Sequence, residues 1–136
     1  KFISLEDVSE CAFHIIMATE IIGLSHSERE MIAYTVRFNT SPFLYYREFT
    51  QEADISKEDY LTIAKMTAIL RLANAMDRTH KQKCQDVTMA LKDRELKITV
   101  TSQEDLSLEF GTFREKAEFF EEVFNVHPTI RQKKSI

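Results

Sequence analysis

The chain has 136 residues, of which 43% are apolar, enough to bury a core over a length that suits one domain. Its formal net charge of −4 provides no global field to draw it to nucleic acid or an anionic membrane, so anion binding must come from two local clusters, Arg71 to Lys83 and Arg131 to Lys134. Two cysteines, Cys11 and Cys84, make no disulfide framework, and without a signal sequence or a long apolar run the expectation is a cytoplasmic protein with reduced thiols.

The first residue is lysine, which predicts a longer parent chain. Ser4 with Asp7 opens a first helix whose buried side runs through Leu5, Val8, Ala12, Ile15 or Ile16, and Thr19 to Ile22, with Gly23 as its C-terminal cap. A capping box, Ser25 with Glu28, opens the next helix, which places Ile32, Thr35, Val36 and Asn39 on one side. Two helices so closely joined should be antiparallel neighbours. Asn39 to Pro42 break the pattern, and Phe43 to Phe49 reads as a loop with a turn or two of helix whose aromatics close over the core.

Ser56, with Asp59 three residues on, caps a long helix predicted over Lys57 to Lys83. Leu61, Ala64, Ala68, Leu72 and Ala75 form one apolar stripe, and Met66, Ile69, Ala73 and Met76 form the next, the pattern of a core helix. Thr67, Arg71, Asn74, Arg78 and Lys81 share a third, mostly cationic face. An arginine set in so much hydrocarbon as Arg71 requires an acidic partner, a water-filled cleft or a bound anion.

The period then changes to two. Val87, Met89 and Leu91 alternate with polar or small residues, as do Leu96, Ile98 and Val100, which predicts two strands joined by a turn at Lys92 to Glu95 that lacks the usual glycine. Leu106, Leu108 and Phe110 read as a third strand, and Phe113, Ala117, Phe120 and Phe124 as a final helix covering the sheet. The expected fold is mainly α with a small α+β portion: a helical portion over 1–83, then a three-stranded antiparallel meander and covering helix over 84–136, packed as one unit.

Little in the chain supports catalysis. Gly23 and Gly111 are the sole glycines, which rules out a Gly-rich phosphate loop. His14, His26, His80 and His127 are scattered outside metal-type motifs, although Cys11 and His14 share a helical face. No nucleophile with a base and an orienting group emerges.

ILRLANAMDRTHKQK (Ile69 to Lys83), HIIMATEIIGLSHSEREMIAYTVRFN (His14 to Asn39), DLSLEF followed by EKAEFFEEVF (Asp105 to Phe124), and the ending TIRQKKSI occur here in one order. Together they resemble the C-terminal domain of the exopolyphosphatase and guanosine pentaphosphatase family. The resemblance implies an HD-like helical domain whose active relatives hold a metal with histidines, an adjacent His-Asp pair and a later aspartate. Members that keep this pattern tend to have histidines where Cys11 and Asn39 fall and an aspartate where Asn74 falls, so the implied site is degenerate and metal-free. The resemblance places catalysis in N-terminal actin-like lobes that use a divalent metal such as magnesium and act on polyphosphate or guanosine pentaphosphate. The C-terminal domain would be non-catalytic, line a channel for the polyphosphate chain and contribute to a homodimer.

Both readings meet at Arg71, Arg78, Lys81 and Lys83, with His80 when protonated and Arg37 from the neighbouring helix, as cations spaced along a polyanion. No cofactor is expected in this chain, and neither nucleic acid nor membrane as a partner. Two other readings stand beside it: an independent HD-type metal-dependent phosphohydrolase, and a structural interaction module whose basic stripe is neutralised by internal carboxylates.

Overall fold

The computed structural model describes residues 5–78, 83, 84 and 86–134. It resolves into two compact units, Lys1–Thr67 and Ala68–Ile136, and the division falls inside a helix. Among the described residues no helix is long and apolar enough to cross a membrane.

The first unit holds α1 (Leu5–Ala18), α2 (His26–Phe38), α3 (Tyr46–Glu52) and the first part of α4 (Lys57–Met76). α1 ends earlier than the predicted Ile22. The Thr19 hydroxyl donates to the Ile15 carbonyl at 2.7 Å, and Arg29 Nη1 donates to the Thr19 carbonyl at 2.8 Å, which draws the last turn out of the helix. Gly23, at φ 90°, therefore lies in the connecting turn and does not cap α1.

The Ser25–Glu28 capping box forms in both directions, at 3.0 and 3.1 Å, and opens α2, which packs against α1. The aromatic segment is a loop that becomes the short α3, as its mixed pattern predicts. Three of its rings join the core: Phe49 clusters with Tyr34, Phe38, Ile55, Tyr60 and Ile63, and Phe43 and Tyr46 pack on them, whereas Tyr45 is exposed. The Tyr60 hydroxyl is satisfied by the Leu44 carbonyl at 2.9 Å. Ser56 accepts from the Asp59 N–H at 3.1 Å, which fixes the start of α4.

α4 stops at Met76, short of the predicted Lys83; residues 79–82, with His80 and Lys81, lie outside the described residues. Its buried stripe is Ala64, Thr67, Ala68, Leu72 and Ala75, whereas Leu61 and Ile69 are exposed. Thr67 thus belongs to the buried side and not to the polar face.

The second unit holds the end of α4, β1 (Asp86–Lys92), β2 (Glu95–Thr101), α5 (Ser107–Phe124) and β3 (His127–Lys133). β1 and β2 form the predicted antiparallel hairpin. Its turn works without glycine because Asp93 and Arg94 both take positive φ, 52° and 62°.

The third strand is not at Leu106 to Phe110. Asp105 accepts from the Ser107 N–H at 3.1 Å and from its hydroxyl at 2.5 Å, and the Phe110 N–H donates to the Leu106 carbonyl at 2.8 Å, so a helix has begun there. Leu108, which a strand would bury beside Leu106, is 64% exposed. The third strand is the basic segment His127–Lys133, and it runs parallel to β2 in the order β1-β2-β3. The sheet is therefore mixed and not an antiparallel meander. Parallel neighbours need a long crossover, and α5 provides it, ending on Asn125 in the left-handed region. Mainly α with a small β portion holds as the fold class. Ile98, Val100, Leu106, Phe113, Ala117 and Phe120 close the core with Ala68, Leu72 and Ala75 of α4.

Candidate functional site

Two of the cations expected to face an anion are occupied within the fold. Arg37 Nε donates to Glu10 at 2.7 Å, and its Nη1 meets Glu52. The guanidinium also lies over the Phe13 ring, 5.4 Å from its centroid. Burial pulls its pKa down, but the bonds to Glu52 and Glu10 outweigh that and raise it above the ordinary value, so this charge is fixed. Lys83 Nζ sits 3.2 Å from Glu109 and donates to the Asp105 carbonyl at 2.9 Å.

Arg71 comes from the last part of α4, and Arg78 from the turn that follows it. Arg71 is half-buried, with its guanidinium carbon 4.9 Å from the centroid of Phe119, and burial lowers its pKa while leaving an arginine cationic at neutral pH. Arg78 is exposed. Asn74, on the same face, is exposed as well.

The structure gives the second basic cluster a form that the sequence did not. In β3, Arg131 and Lys133 are two apart and so share the sheet face away from α5, where Thr99 is the register partner of Arg131, Thr101 of Lys133, and Lys97 of Thr129. Lys97, Arg131 and Lys133 are exposed, and Arg131 Nε donates to Thr99 Oγ1 at 3.1 Å. Strand periodicity in the ending of the chain was the available signal.

The expected degenerate metal site comprises Cys11, Asn39 and Asn74. Cys11 is exposed, and Asn39 is the C-cap of α2, with its N–H on the Val36 carbonyl at 3.3 Å. The Cys84 thiol donates to the Met76 carbonyl at 3.3 Å, and burial, followed by Glu109 and Asp77, raises its pKa, which makes it a poor nucleophile at neutral pH. Among the described residues no three His, Cys, Asp or Glu side chains gather where they could hold a metal ion. His127 Nδ1 meets Glu121 at 2.9 Å on the wall of the cleft between α5 and β3.

No curated protein matches the chain. The family model described as Ppx/GppA phosphatase, domain III, matches residues 2–113, a span that takes in α1 to β2 and the first part of α5. A match over so much of the sequence, reaching into both units, means that the chain belongs to the Ppx/GppA phosphatase family and corresponds to its domain III.

Proposed function

We propose that this chain is the C-terminal, non-catalytic domain of an exopolyphosphatase, that it binds the polyphosphate chain and contributes to a homodimer, and that the parent's hydrolytic site, with its divalent metal, lies in N-terminal domains. The observation that carries the reading is the family match over residues 2–113. Guanosine pentaphosphate is the other phosphate-rich substrate of the same kind.

The binding residues are Arg71 and Arg78, extended by Lys81 and His80, with Arg131 and Lys133 as a second group. Arginine suits the task because its planar fork donates two hydrogen bonds to one phosphate. Arg37 and Lys83 contribute less to it, since carboxylates already meet their charges. Those three ion pairs are also the support for the competing reading, a structural module with a neutralised basic stripe.

One titration separates the two. Each partly desolvated contact with phosphate is worth about 1–3 kcal/mol, so Arg71→Ala/Arg78→Ala is expected to weaken polyphosphate binding well over tenfold. Affinity is expected to fall steeply with salt, and less steeply in the variant. A double variant with native circular dichroism, wild-type affinity and an unchanged salt slope would make the stripe structural.

A second measurement addresses the HD phosphohydrolase reading. Protein purified without chelator is expected to carry no stoichiometric manganese, iron or zinc, because amides at Asn39 and Asn74 are weak ligands beside imidazole or carboxylate. One equivalent per chain would revive a metal-dependent enzyme.

A further inference from the structure

Among the described residues β1 is an edge strand, and its outer edge is apolar on one side. The hairpin closes with Lys92 opposite Glu95 around a two-residue turn. In such a hairpin the closing pair is hydrogen-bonded, so β1 bonds β2 through Lys92, Ala90, Thr88 and Asp86. The N–H and C=O groups of Val87, Met89 and Leu91 consequently point outward, away from β2. Their side chains lie on the face of Ile98 and Val100, yet Met89 is 62% and Leu91 66% exposed. Outward main chain and uncovered apolar side chains therefore coincide at Met89 and Leu91, while Val87 packs partly on the core, and natural edge strands ordinarily avoid that combination.

The strand, Asp-Val-Thr-Met-Ala-Leu-Lys, is also complementary to itself when reversed. In an antiparallel pairing of two copies about a twofold axis at Met89, Met89 faces Met89, Val87 faces Leu91, Thr88 faces Ala90, and Asp86 faces Lys92. Both charged ends are exposed and enter no ion pair among the described residues. The outward main-chain groups fall opposite one another in this register, and each such pair exchanges two hydrogen bonds. A slip of one residue would send the apolar side chains to opposite faces, and a slip of two would part Asp86 from Lys92.

We propose that β1 is the self-association edge of this chain: two copies pair β1 to β1, antiparallel and centred on Met89, to form one continuous sheet. The inference rests on the reading above only in its homodimer, for which it names the surface. The test is sedimentation of the chain at concentrations up to about 100 µM, ample for an interface of micromolar strength. A concentration-dependent dimer is expected. Met89→Lys sets two cations together at the axis, and Asp86→Lys sets one against each Lys92; each is expected to raise the dissociation constant by roughly tenfold or more. The exchange Asp86→Lys/Lys92→Asp is expected to restore the dimer, a rescue that no other register or surface provides. A folded Met89→Lys variant that dimerises like wild type, or an exchange variant no better than Asp86→Lys, overturns the β1 pairing and leaves the homodimer standing. A monomeric wild type overturns both.

Discussion

Phe49→Ala is expected to destabilise the helical unit by about 3–5 kcal/mol, the range for removing a fully buried phenylalanine from a packed core. Phe49 is 0% exposed, and its ring lies 4.8 Å from Tyr34 in an edge-on arrangement, 5.6 Å from Tyr60 and 5.9 Å from Phe38. Edge-on pairs add about 0.5–1.5 kcal/mol beyond the area they bury. The position also matters for chain order. α3 has seven residues, too few to persist alone, and Phe49 is its buried anchor. Losing the ring is expected to release α3 and with it Glu52, one of the two carboxylates that hold Arg37. Urea unfolding followed by circular dichroism measures the change, with Phe49→Leu expected to lose less because it keeps part of the buried hydrocarbon. A loss below about 1 kcal/mol for the alanine variant would mean that the cluster repacks around the gap.

What the sequence made legible was local. The Ser25–Glu28 box and the Ser56–Asp59 cap depend on residues three apart, and the β1–β2 hairpin on a period-two pattern across a short turn. The third strand was misplaced because Leu106 and Phe110, two steps apart in an alternation, are also four residues apart on a helix. That helical series continues into Phe113, Ala117 and Phe120, and a short apolar run satisfies either period until packing decides. β3 was hidden for the opposite reason: on its buried side Pro128 and Ile130 are followed by Gln132, so it reads as a basic tail. Helical spacing did place Arg71 on α4, but it also put Arg78 on that helix, which ends at Met76. It gave no warning of the partners of Arg37, because Glu10 and Glu52 are 27 and 15 positions away in the chain.

Lys83 is the clearest case of a cation whose role depends on such a distant partner, and Lys83→Met is expected to destabilise the second unit by about 3 kcal/mol, toward the lower end for breaking a buried ion pair. Glu109, its partner at 3.2 Å, is 1% exposed, so the substitution takes a cation from a carboxylate shielded from water. Two features keep the loss from the top of the range. The Lys83 side chain is itself 16% exposed, and Glu109 lies in the first turn of α5, where the helix dipole favours a negative charge. Lys83 also donates to the Asp105 carbonyl just before α5, so its loss loosens the start of that helix. Removing both charges behaves differently: Lys83→Met/Glu109→Leu is expected to return to within about 1 kcal/mol of wild type, since apolar groups of similar size replace a desolvated pair at little net cost. Urea unfolding of wild type, the two single variants and the double variant completes the cycle. A polyphosphate titration of folded Lys83→Met is expected to stay within about threefold of wild type. A variant that keeps full stability but loses polyphosphate affinity tenfold would return Lys83 to the phosphate-binding face and make its contact with Glu109 secondary.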